Sequence, residues 1–96
     1  MIQHIVLFKW KAGAQKSEVD RAETQIKSLA GIDGVTEFVA TPNLQNGNDT
    51  YNFILSVRLP SIEFLEKTYR PHPLHTRLYA IMDQVLESVI SVDAAV

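Results

Sequence analysis

The nine residues Ile2 to Trp10 carry bulky apolar side chains on both of their alternating faces. In an extended strand Ile2, His4, Val6, Phe8 and Trp10 point one way, and Gln3, Ile5, Leu7 and Lys9 point the other. A strand that is apolar on both sides belongs in the middle of a sheet, with cover above and below. A chain of 96 residues has room for one domain, residues 1–96, built around that strand. The remaining segments must supply its neighbours and its cover.

They do so in a legible order. Lys11 to Gln15 reads as a turn. Ser17 is a suitable helix N-cap, and Glu18 and Asp20 suit the positive end of the helix dipole. Val19, Ala22, Ile26 and Leu29 form a one-sided apolar stripe, and Gly31 stops the helix. A turn at Ile32-Asp33-Gly34 leads into a second strand, Val35 to Thr41. Pro42 to Asn48 reads as a polar loop with a turn at Asn46-Gly47. A third strand spans Tyr51 to Leu59, with Tyr51, Phe53, Leu55, Val57 and Leu59 on one apolar face.

Pro60-Ser61 opens a second helical segment, in which Ile62, Leu65 and Tyr69 share the buried stripe. Pro71 and Pro73 break it, and Pro73 suits the first turn of a further helix. The stripe of that helix runs through His75, Leu78, Tyr79, Met82, Val85, Leu86 and Val89. A fourth strand covers Ser88 to Asp93, and Ala94 to Val96 is a tail. The order β-α-β-β-α-β defines an α+β ferredoxin-like fold: a four-stranded antiparallel sheet with helices on one face. Ile5, Leu7 and Ile54 then populate the sheet's other face. An apolar sheet face on so small a domain predicts a homodimer packed sheet on sheet.

Composition excludes several functions. A net charge of −2 gives no basic footprint for nucleic acid. No apolar stretch reaches the roughly 20 residues of a membrane span. The absence of cysteine removes thiolate chemistry and disulfides, and the N-terminus lacks a signal-peptide pattern, so a cytoplasmic protein is expected. No glycine-rich phosphate loop or serine nucleophile elbow is present.

What remains is a concentration of acid-base groups. Tyr69, His72 and His75 fall within one short stretch, and the only other histidine, His4, lies within the first strand. Periodicity turns His4, Tyr69 and His75 toward the sheet-helix layer. There they would bond to one another or to shared water, within a small pocket walled by Phe8, Phe53, Leu55, Leu65 and Leu78. Imidazole and phenol in such a pocket can transfer protons. Each also has a plainer role: a satisfied structural histidine, an amphipathic core tyrosine, and, for His72, an anchor of the proline turn. His72 and His75 have a chelating spacing, but only His4 could supply a third ligand, so no metal or other cofactor is expected.

The opening Met1-Ile2-Gln3-His4-Ile5-Val6-Leu7-Phe8-Lys9-Trp10 resembles the start of the stress-responsive alpha/beta-barrel domain (Dabb) proteins. The segment Tyr69-Arg70-Pro71-His72-Pro73-Leu74-His75 resembles that family's second signature, and Val89-Ile90-Ser91-Val92-Asp93 its last strand. The resemblance implies a ferredoxin-like fold and a dimeric α+β barrel formed by two sheets. Most members have no assigned reaction, and some plant members are stress-induced stable oligomers. One plant member is a polyketide cyclase that closes a linear tetraketide acid by aldol condensation. Its first-strand histidine matches His4, and its catalytic tyrosine and histidine match Tyr69 and His75. A further cyclase histidine falls at Phe53 here, a departure that implies a different substrate.

Two readings follow. The chain is a dimer that binds a small apolar or carbonyl ligand beside the His4, Tyr69 and His75 cluster. If it is an enzyme, the expected chemistry is cofactor-free proton transfer of the cyclase or lyase type. His75 would then be the base, Tyr69 would polarise a carbonyl oxygen, and His4 would orient or shuttle. In the other reading the cluster is a satisfied polar network that fixes the helices, and the dimer has a binding or structural role related to stress.

Overall fold

The computed structural model describes residues 1–45 and 50–96. Strand β1 (Ile2–Trp10) is followed by helix α1 (Lys16–Ser28), a 3-10 turn (Leu29–Gly31), β2 (Thr36–Pro42) and β3 (Phe53–Leu59). Then come α2 (Ile62–Phe64), which continues as a π-helical segment (Leu65–Tyr69), α3 (Pro73–Val85) and β4 (Leu86–Ala95). The sheet order is β2-β3-β1-β4 with every pairing antiparallel. The doubly apolar first strand is therefore central, as its sequence requires.

The register settles the two faces. Ile2, His4, Val6 and Phe8 pair with Leu59, Val57, Leu55 and Phe53 on β3, and all eight are buried. Helices α1 and α3 cover this face, with Ala22, Ile26, Leu78, Met82 and Val85 in the core. Gln25 ties them together, its Nε2 donating to the Leu74 carbonyl at 2.9 Å. On the other face Ile5 pairs with Val92, and Leu7 with Ile54 and Ile90. Val39, Ile90 and Val92 are exposed there, and Ile5, Leu7 and Ile54 half-buried.

Element ends differ from the sequence reading for local reasons. Helix α1 starts one residue before Ser17, because the Gln15 carbonyl accepts from Glu18 and Val19 and makes Gln15 the N-cap. Tyr51 and Asn52 precede β3 rather than opening it, and Pro42 joins β2. The Asn46-Gly47 turn lies outside the described residues. Leu86 belongs to β4 rather than to the α3 stripe, Val89 lies in β4 as the expected fourth strand had it, and the strand runs through Ala94 to Ala95, where a tail was expected. The helical run that begins with α1 ends at Gly31, and the glycine whose backbone conformation the turn requires is Gly34. Its φ is +96°, and a Cβ there would lie 2.7 Å from the Phe64 ring.

Candidate functional site

Tyr69 reaches the core through an unusual turn. Ser61 caps α2, its Oγ accepting from the Phe64 N–H at 3.0 Å. The helix then widens, with the Arg70 N–H donating to the Leu65 carbonyl five residues back at 3.0 Å. Leu65 and Tyr69 both end up fully enclosed. Single π turns of this kind cluster at functional sites. His72 follows as the N-cap of α3. Its Nδ1 accepts from the Leu74 N–H at 3.1 Å, and Pro73 occupies the first helical position. That start fixes His75 on the inner side of the first turn of α3.

The three expected groups do come together, by ring contact rather than by mutual hydrogen bonds. The Tyr69 ring meets His75 edge-on at 5.1 Å and His4 edge-on at 5.8 Å between centroids. His75 also meets Tyr79 edge-on at 5.6 Å. The partner of His4 is Asp93: the imidazole Nδ1–H donates to the carboxylate at 2.6 Å. Strand β4 lies beside β1 with His4 opposite Asp93, so the sheet register itself makes this pair. Sequence reasoning missed Asp93, although Val89, Ser91 and Asp93 share one face of an alternating strand.

The other two groups are unsatisfied. The Tyr69 hydroxyl and His75 Nδ1 are buried without a hydrogen-bond partner among the described residues. Burial pushes the Tyr69 hydroxyl well above the usual phenol range. Burial also pushes the His75 imidazole down to about 4, and His4 and Arg70 act in the same direction. His75 is therefore neutral at pH 7.

Beside His75 lies a cavity of about 270 Å³. Of the expected site residues, His4, Phe8, Leu55, His75 and Leu78 line it. Val6, Met82, Leu86 and Val89 complete its apolar wall. Arg70, Tyr79 and Ser91 add polar atoms. Phe53 and Leu65 do not line it. They fill the core, Phe53 inside an aromatic cluster with Phe8 and Trp10. Tyr69 stands one ring behind the wall, and His72 is occupied by its capping role. Tyr79, expected on the buried stripe, is 57% exposed because it stands over the cavity rather than over packed core. Arg70 escaped the sequence reading because it follows buried Tyr69 and reads as a solvent-facing helix end.

A split β-α-β sheet with its helices on one face, and a small apolar cavity between those helices and the first strand, defines a ferredoxin-like α+β domain. The chain matches the stress responsive A/B barrel domain (Dabb) over residues 2–96, and it belongs to that family. A dimeric ferredoxin-like protein of unknown function from Thermobifida fusca shares 25% identity. Its TM-score is 0.83, over 99% of this chain and 90% of that one. A Dabb family protein from Mesorhizobium loti also shares 25% identity, with a TM-score of 0.74 over 99% of this chain and 95% of the other. The hydroxynitrile lyase of Passiflora edulis has a TM-score of 0.79 over 99% of this chain and 92% of its own, but at 14% identity it shares only the fold. No curated protein matches the sequence. Among the described residues no helix is long and apolar enough to cross a membrane.

Proposed function

We propose that the protein is a homodimer whose pocket binds a small apolar compound carrying a carbonyl group. The observation that carries this reading is His75, which lines an apolar cavity with its Nδ1 orphaned, backed by the orphaned Tyr69 hydroxyl one ring behind that wall. Each buried group without a partner costs about 1–3 kcal/mol. In the bound state the His75 ring turns off Tyr69, so that a carbonyl oxygen accepts from the Tyr69 hydroxyl and an enol or hydroxyl hydrogen on the same compound suits the His75 nitrogen. At about 270 Å³ the cavity is slightly smaller than the roughly 300–1,000 Å³ of ligand pockets, which favours a compact ligand. The orphaned atoms also weigh against a satisfied structural network.

The test is a matched pair of probes in NMR titrations. Butyrophenone is expected to bind and to shift resonances of Tyr69 and His75, and butylbenzene, which lacks the oxygen, to bind about tenfold more weakly. Equal affinity for the two would refute the polar role of the cluster. The dimer rests on the exposed apolar face of Val39, Ile90 and Val92, together with half-buried Ile5, Leu7 and Ile54. Light scattering is expected to give twice the chain mass, and Ile90→Lys to halve it. A monomeric parent protein would overturn this part.

A second reading, cofactor-free proton transfer of the cyclase or lyase type, draws on the His4–Asp93 pair. A carboxylate that fixes an imidazole is how acid-base sites orient their histidine. His75 would be the base, with Tyr69 holding the developing oxyanion and His4 orienting or shuttling. Binding stands ahead because a base held down at about 4 is weak toward carbon-bound protons. Deuterium loss from the α-carbon of labelled butyrophenone measures this reading. Exchange no faster with the protein than with a folded His75→Ala variant rules out His75 as base.

A further inference from the structure

The cavity has one fixed charge on its lining. Arg70 is the only Lys, Arg, Asp or Glu among the residues around it. It pairs with no carboxylate among the described residues: the ion pairs there join His4 to Asp93, Lys9 to Glu87, Lys16 to Asp20, Arg58 to Glu37 and Lys67 to Glu63. The carboxylate of the nearby cluster, Asp93, is already engaged by His4 Nδ1 at 2.6 Å. Arg70 is exposed, so its charge sits at the rim, while Val6, Phe8, Leu55 and Leu78 make the interior apolar.

We infer that Arg70 makes the pocket selective for an anionic ligand, a compact apolar keto acid whose carboxylate meets the guanidinium at the rim. The inference rests on the carbonyl-binding reading and narrows it to a class of compound. The chain geometry separates the two ends of such a ligand. Tyr69 and Arg70 are adjacent, yet one is sealed in the core and the other open to solvent. A ligand lying along this wall therefore presents its carbonyl end inward, toward the Tyr69 and His75 rings, and its carboxylate outward. An arginine offers a planar pair of donors that matches a carboxylate in two parallel hydrogen bonds. Low-dielectric walls strengthen that contact relative to the same pair in open water.

The probes are 4-oxo-4-phenylbutanoate and butyrophenone, which share the aromatic ketone and differ in the carboxylate. Titrations use the intact protein and its Arg70→Gln and Arg70→Lys variants. The keto acid is expected to bind about tenfold more tightly than butyrophenone at low salt, as one hydrogen-bonded charge contact implies. Raising the salt from about 0.05 to about 0.5 M should narrow the gap, because the rim is screened. Arg70→Gln should abolish the preference, and Arg70→Lys should keep part of it. If butyrophenone binds and the keto acid binds no better, or the preference survives Arg70→Gln, the charge selection falls and the carbonyl pocket stands. If neither compound binds, the pocket reading fails and takes this inference with it.

Discussion

Replacing Tyr69 by Phe removes one hydroxyl from the most enclosed polar side chain among the described residues. Tyr69 is 0% exposed, and its hydroxyl has no hydrogen-bond partner among the described residues. Leaving such a group unpaired costs about 1–3 kcal/mol, because the water it bonded in the unfolded chain is not replaced. Phenylalanine keeps the ring, and with it the edge contacts to His4 and His75. The vacated space is smaller than a water and forfeits some dispersion, so the expected net gain is about 1 kcal/mol. For a domain of this size that raises Tm by about 4–8 °C. Thermal and urea unfolding of the ligand-free protein measure it, at one fixed chain concentration because a dimer's stability depends on concentration. The same variant should lose most of its preference for butyrophenone over butylbenzene. A Tyr69→Phe protein less stable than its parent by 1 kcal/mol or more would show that the hydroxyl is satisfied in the fold. The carbonyl-binding argument would then lose its foundation.

The His75 imidazole ties stability to pH. An unfolded histidine takes its proton near 6.5, and His75 in the fold takes one only near 4. Between those values the unfolded chain holds more protons, so stability is full above about pH 6.5 and falls as the pH drops toward 4. His75 is partly exposed, and screening by solvent reduces the loss to about 1–2 kcal/mol. Urea midpoints at pH 7.5 and 4.5 should show it, and His75→Leu should flatten the difference; equal slopes for both proteins would contradict it. Asp93→Asn takes the carboxylate from a buried imidazole and should cost about 1–3 kcal/mol, with a double-mutant cycle to His4→Phe revealing the coupling. An additive cycle would mean the pair contributes nothing. Gly34→Ala, strained at a φ of +96° and driven against Phe64, should lose about 1–3 kcal/mol in denaturant unfolding. A neutral outcome would mean the Phe64 ring moves aside freely.

The frame was readable because burial leaves its period in the sequence. Alternation along Ile2 to Trp10 identified a central strand, and the helix stripes identified the covered face. Element ends were less legible. Gln15 rather than Ser17 caps α1 through a backbone carbonyl, and no side-chain preference reports that bond. The widened turn before Arg70 is likewise a matter of backbone hydrogen bonds, invisible to a period of 3.6 residues.

The site was half legible, and the division has a physical cause. His4, Tyr69 and His75 could be gathered because each sits on an apolar stripe, and inward direction is what periodicity encodes. Which apolar neighbours line space and which fill it depends on packing. Phe53 and Leu65 carry the same inward signal as Phe8 and Leu78, yet the first two close the core while the second two border the cavity. Partnership is harder still. His4 finds Asp93 at the far end of the chain through strand register. The Tyr69 hydroxyl and His75 Nδ1, in the same stripe pattern, find no hydrogen-bond partner among the described residues. Folding thus satisfies one of the three polar groups and leaves two unsatisfied among the described residues, His75 on the cavity wall and Tyr69 one ring behind it. A fold selected for stability alone would replace both with apolar residues, since each unpaired group costs about 1–3 kcal/mol. That the chain keeps them, with a cation at the rim that pairs with no carboxylate among the described residues, is the physical case for reading the cavity as a place where a ligand completes the hydrogen bonds.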